Sequence, residues 1–242
     1  MKILGIESSG LVAGVALLED EVLIGEYTTN FKKTHSQTLL PMLDQLTQML
    51  ECDLQSLDAI AVAKGPGSFT GLRIGSATAK GLGLALDLPL IAVPTVESLA
   101  YNLWGCEGLV CPLMDARRKQ VYTGIYRFDE EGMQTVKEPC ALDVDELLDE
   151  ISGYGQAVVF LGDGVPVYEE RIAERCRVPY RFAPAHMNRQ RAASLCARAA
   201  EYLALGRVET ADEHRPEYLR LSQAERERLE KEQRETEQAG GH

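Results

Sequence analysis

The sequence predicts an α/β protein of two related lobes facing each other across a cleft. Three observations predict it. The apolar pattern runs three strands, helix, strand, helix, and then runs through that order a second time. The stretch Asp58 to Leu86, DAIAVAKGPGSFTGLRIGSATAKGLGLAL, reads as a buried strand, a glycine-rich turn and a helix. With 242 residues, 45% hydrophobic and 26% charged, the chain is long enough to bury a sizeable core in one or two domains. No residue-level repeat accompanies the duplication, so it rests on element order alone.

In the first half, Ile3 to Glu7, Val12 to Leu18 and Val22 to Thr29 read as short strands. A helix follows from His35 to Glu51, its apolar face carrying Leu39, Leu40, Leu43, Leu46, Met49 and Leu50, with a kink expected at Pro41. The strand Ala59 to Ala63 breaks at Gly65-Pro66-Gly67-Ser68, and Thr70 is a reasonable N-cap for the helix beyond. A strand at Leu90 to Val93 and a helix from Thr95 to Leu103 complete the half. In the second half, Leu109 to Met114, Gln120 to Phe128 and Met133 to Pro139 read as strands. Then come a helix capped by Asp143, the strand Ala157 to Leu161, a helix from Pro166 to Arg175, a short strand at Arg181 to Ala183 and a helix from Arg189 to Leu205. The expected divisions are an N-terminal lobe over 1–105, a C-terminal lobe over 106–220 and a charged tail over 221–242. The tail is nearly all Glu, Arg, Gln and Lys and reads as a solvated helix or as disordered.

Bulk properties exclude several functions. The formal charge of −12 argues against unaided nucleic-acid binding, which needs a concentrated basic surface. Six scattered cysteines make no C-x-x-C, which favours reduced thiols in a cytoplasmic protein over a disulfide or zinc framework. No apolar run is long enough for a membrane span or a signal peptide. The four histidines, at 35, 186, 214 and 242, give no pair at helical spacing for a metal.

The helix after the glycine turn carries a sharper pattern. Gly71, Gly75, Ala79 and Gly83 recur every four residues, with Ala77, Gly81 and Ala85 as a second small row beside them. Each glycine inside a helix costs roughly 0.5–1 kcal/mol relative to alanine, so the stripe implies a close neighbour. That neighbour is either the protein's own sheet or a partner chain.

The motif KGPGSFTGLRIGSATAKGL resembles the signature of the bacterial TsaB (YeaZ) family, whose members help make threonylcarbamoyladenosine in tRNA. The opening ILGIESS, the segment His35 to Pro41, Asp115-Ala116-Arg117-Arg118 with Val121-Tyr122, and the closing Pro216 to Arg220 match in order. The resemblance spans roughly residues 2 to 220. It implies the actin/sugar-kinase/Hsp70-type (ASKHA) fold and a non-catalytic subunit that supports a TsaD-type transferase alongside a TsaE-type ATPase. It also implies a homodimer when alone, tRNA contact only through the complex, and no cofactor of its own, with ATP used elsewhere in the complex. The family's first two helices make the pairing surface, which points to His35, Leu39, Leu43, Gly71, Gly75, Ala79 and Gly83 as interface residues.

The fold's relatives carry a cleft aspartate where this chain has Glu7, followed by Ser8 and Ser9, and a second glycine turn where it has Gly162-Asp163-Gly164. Glu7, Ser8, Ser9, Gly65, Gly67, Gly162 and Gly164 are thus a candidate remnant of a nucleotide cleft. The plain alternative is a solvated carboxylate and two tight turns. No Gly-Lys-Ser/Thr follows Gly65 at Walker A spacing, and no G-x-S-x-G surrounds Ser68. The catalytic paralogue has an H-x-x-x-H pair after the corresponding strand, whereas Val93 to Ala100 contains no histidine. Asp115 to Lys119 reads as a basic turn, either a solvated hairpin with Asp115 pairing an arginine or a contact to a partner or phosphate. The competing functions are an ATP-dependent kinase of the same fold and a metallopeptidase.

Overall fold

The computed structural model describes residues 1–31 and 33–220, and the expected tail over 221–242 lies outside the described residues. The first half forms β1 (Lys2–Glu7), β2 (Ala13–Glu19), β3 (Val22–Thr29), α1 (His35–Met49), β4 (Ala59–Gly65), α2 (Phe69–Leu86), β5 (Leu90–Pro94) and α3 (Thr95–Ala100). The second half forms β6 (Leu109–Asp115), β7 (Gln120–Asp129), β8 (Gly132–Asp143), α4 (Val144–Tyr154), β9 (Val158–Leu161), α5 (Val165–Arg175), β10 (Tyr180–Phe182) and α6 (Ala192–Ala204). The sheets are ordered β3-β2-β1-β4-β5 and β8-β7-β6-β9-β10. Strand for strand these are one topology used twice, the two-lobed α/β arrangement that the element order implied.

In β1 and β4 alternate residues are buried on opposite faces, so each sheet needs cover on both sides. On one face of the first sheet Leu4, Ile6, Ile60 and Val62 meet Leu39, Leu43 and Leu46 of α1 and Ala79 of α2. On the other face Ile3, Ala59, Ala61 and Ile91 meet Ala192, Leu195, Cys196 and Ala199 of α6. The second sheet packs α4 and α5 on one face and Val96, Leu99 and Ala100 of α3 on the other. Each half therefore lends its last helix to the other half's sheet, or to both. The division at 105/106 separates the strands, but α6 crosses back out of the expected C-terminal lobe.

One local detail differs from the sequence reading and a second agrees with it. Helix α2 begins one residue after Ser68, whose extended backbone (φ −61°, ψ 120°) lets its hydroxyl accept from Gly71 N at 3.3 Å. Thr70 is already inside the helix and cannot cap it. Helix α1 continues through Pro41, as the pattern over Ser36 to Leu40 suggested.

Candidate functional site

The lobes meet at a cavity of about 610 Å³. Ser9, Gly10, Gly67, Ser68 and Thr70 line it from the first lobe, and Asp115, Arg117, Tyr122 and Asp163 from the second. Tyr218 and Arg220 close part of it. The C-terminal segment reaches this place by a defined route. Glu209 pairs with Leu90 at the edge of the first sheet, and Glu217 N donates to Lys64 O at 2.6 Å. The Tyr218 ring then lies 4.5 Å from Phe69, and Arg220 donates to Ala116 O across the cleft.

The first wall is the turn after β1 set against the start of α2, and glycines permit their approach. A Cβ on Gly67 would lie 2.2 Å from Ser9 O, one on Gly71 2.1 Å from Ser8 O, and one on Gly75 2.3 Å from Ser8 Oγ. Ser8 Oγ donates to Gly71 O at 2.9 Å, and Ser68 N to Ser9 O at 2.6 Å. His35 joins the same knot, its Nε2 2.8 Å from Gly10 O. Gly65 sits where Glu217 O passes, 2.2 Å from where its Cβ would be.

These contacts correct the interface assignment. Gly71, Gly75, Ala79 and Gly83 are buried within the chain, against Ser8, Ile6, Leu90 and Ala211, and Leu39 and Leu43 belong to the core. The stripe is small because β1 and its turn press into it. The neighbouring row, Ala77, Gly81 and Ala85, is exposed instead, together with Leu84.

Glu7 is fully buried behind the cavity, outside its lining. Its Oε1 accepts from Ser9 N at 2.7 Å and from Ser9 Oγ, while Oε2 has no hydrogen-bond partner among the described residues. Burial pushes the carboxyl up to about 7, opposed by the Ser9 bonds. Turned into the core with Oε1 held by Ser9, the Glu7 side chain does not line the cavity. Since the folded value lies above the ordinary 4.5, the native state binds the proton more tightly, and stability falls as pH rises from about 4.5 to 7. Glu7→Gln is expected to flatten that slope and to stabilise the protein most above pH 7. Denaturant titrations at pH 5 and 8 would measure this, and equal wild-type slopes in the variant would refute it.

The second wall centres on β6 and the turns after β6 and β9. Gly162 and Gly164 wrap the Leu113 carbonyl, which accepts from Gly164 N at 2.8 Å, and only Asp163 of that turn reaches the cavity. Burial raises the Asp163 carboxyl above its usual range, while the Asp115 amide, 3.3 Å from Oδ1, and Arg189 pull it back. The expected Asp115–arginine ion pair is not what holds this turn. Asp115 Oδ1 accepts instead from the backbone N of Arg117 at 2.8 Å and from Tyr168 OH at 3.2 Å. Arg117, Arg118 and Lys119 all lie at positive φ, +62°, +56° and +62°. For side chains of this size that region costs about 1–2 kcal/mol per residue.

A third group lies where α3 crosses α6. The Glu97 carboxylate accepts from Arg198 and from Tyr202 OH at 2.7 Å, while Arg198 also binds Glu201, which takes Tyr101 OH. The Glu97 and Arg198 side chains are only 8% and 12% exposed. The sequence held no signal for this pair, which is separated by a hundred residues. Among the described residues no cluster of three or more His, Cys, Asp or Glu could hold a metal ion, and no helix is long and apolar enough to cross a membrane.

The family model TsaD, described as tRNA N6-adenosine threonylcarbamoyltransferase, matches residues 23–228. The tRNA threonylcarbamoyladenosine biosynthesis protein TsaB of Bacillus subtilis is 36% identical over 229 residues, 93% of this chain and 96% of that protein. The TsaB of Escherichia coli is 35% identical over 155 residues, 62% of this chain and 65% of its own. The solved structure of YeaZ from Pseudomonas aeruginosa superposes with a TM-score of 0.76 at 28% identity, covering 90% of this chain and 99% of the other.

Proposed function

Because the chain belongs to the TsaB family of tRNA threonylcarbamoyladenosine biosynthesis proteins, we propose that it is the non-catalytic subunit of the assembly that places threonylcarbamoyl on the adenosine beside the anticodon. The observation that carries this reading is an identity of 36% running along almost the whole chain. The non-catalytic part is supported by the segment after β5, where the transferase paralogue carries its metal pair. Here Thr95 to Ala100 is buried and contains no histidine, and its carboxylate, Glu97, is taken up by Arg198 and Tyr202. The partners are a TsaD-type transferase and a TsaE-type ATPase, with a homodimer when the chain is alone and tRNA held by the complex. Its place of action is the cytoplasm, and ATP is consumed by the partners. A reconstituted mixture of the two partners with anticodon-stem RNA, ATP and an activated threonylcarbamoyl donor should modify the RNA only when this chain is added. The chain alone should not, and turnover by the isolated chain would overturn the reading.

The pairing surface is assigned to the outer row of α2, Ala77, Gly81 and Ala85, with Leu84 and the exposed Leu40 and Pro41 of α1. Small residues here let a second helix pair approach closely, and the leucines fill the space around the crossing. A Cβ at Gly81 meets nothing within 4 Å, so a large side chain fits the monomer. Gly81→Arg is expected to keep the fold and to weaken both self-association and transferase binding at least about tenfold. Sedimentation and pull-down would read this, and unchanged pairing with both partners would place the surface elsewhere.

A further inference from the structure

The turn between β6 and β7 presents charge that no side chain among the described residues takes up. Arg117, Arg118 and Lys119 are consecutive, exposed and all in the left-handed region. Among the described residues, none of their side chains makes a hydrogen bond or ion pair. Lys119 lies near enough to Asp145 to help lower that carboxyl, but Asp145 is held by Arg171. The backbone under them is fixed. Ala116 N donates to Gln120 O at 3.0 Å, Gln120 N to Arg117 O at 3.1 Å, and Val144 N to Lys119 O at 2.9 Å. Asn and Gly adopt such a backbone more readily than Arg or Lys, so three long cations in a row are poor choices for the turn itself. Only Arg117 borders the inter-lobe cavity. Arg118 and Lys119 lie beyond its lining, so a ligand meeting all three cations would have to extend past the rim of the cavity.

We propose that the β6–β7 turn is an RNA-phosphate contact, at which this chain touches the tRNA held by the assembled complex. The proposal rests on the tRNA-modification role given above. The rest of the chain carries a net negative charge, −12 overall, which disfavours RNA elsewhere on its surface. A single basic turn on such a surface orients a bound polyanion and adds little affinity on its own.

The test uses the full chain assembled with its transferase and ATPase, with anticodon-stem RNA as substrate. The variant Arg117→Asn, Arg118→Gly, Lys119→Asn removes the charge and suits the backbone. The complex should still assemble and melt no lower than wild type. The KM for RNA should rise about tenfold, and the salt slope of RNA binding should shrink by about 2, the share of three lost phosphate contacts. Should that variant melt lower, Arg117→Gln, Arg118→Gln, Lys119→Gln carries the same measurement without changing the backbone preference so far. An unchanged KM for RNA and an unchanged salt slope would overturn the proposal. So would a loss of assembly with normal RNA kinetics in what assembles, which would mean a protein contact. A rise in KM for ATP alone would also overturn it, since the turn would then serve a free nucleotide. If the wild-type chain supports no modification, the functional reading falls first and the proposal with it.

Discussion

Gly71→Ala is expected to lower stability by about 3 kcal/mol, the upper part of the range for overpacked sites. The added methyl would stand 2.1 Å from Ser8 O and 3.2 Å from the His35 ring. Neither neighbour can step aside cheaply. Ser8 O is backbone in a turn buried between β1 and α2, and His35 is held by Gly10 O. On the same helix Gly81→Ala should do the reverse and stabilise by about 0.5–1 kcal/mol, since its Cβ meets open space. Urea denaturation of both variants gives the comparison. A Gly71→Ala protein with a wild-type midpoint would show that the turn after β1 yields.

Arg198→Ala should cost about as much or more, about 3–5 kcal/mol, because it strands the Glu97 carboxylate in the junction of α3 and α6 with one tyrosine hydroxyl for company. The loss belongs to the unpaired charge and not to the worth of the pair. Replacing both members, Glu97→Met with Arg198→Met, should therefore recover most of the stability. Equilibrium denaturation of the two single variants and the double variant tests this as a cycle. Strict additivity of the single losses would sink it.

The order of elements was legible because strands and helices leave different apolar periods in a sequence, and each half showed them in the same order. The small-residue row over Gly71, Gly75, Ala79 and Gly83 was equally plain as a request for close approach. What lay against it was not, since a helix face records that something is near and not what. The outer row, Ala77, Gly81 and Ala85, has the same composition and opposite exposure, so composition could not choose between them. The cleft was partly readable. Ser9, Gly67 and Asp163 come together as the turns implied, while Glu7 stays buried, its Oε1 taken by Ser9 two residues on. Tyr218 and Arg220 were visible only as part of a family motif, because their contacts with Phe69 and Ala116 join residues more than a hundred positions apart. The left-handed run at Arg117 to Lys119 went unseen, since nothing in those residue types favours that backbone.

The exchange of helices between the halves sets an order on how the molecule can be completed as it leaves the ribosome. The second sheet waits for little, because α3 is already made when β6 to β10 emerge. The first sheet has its strands early, yet Ile3, Ala59, Ala61 and Ile91 stay uncovered until Ala192 to Ala199 arrive. The lobe that begins the chain is thus the last to close. A fragment ending near residue 105 would carry a bare apolar sheet face, which makes it an aggregating species and not a working half.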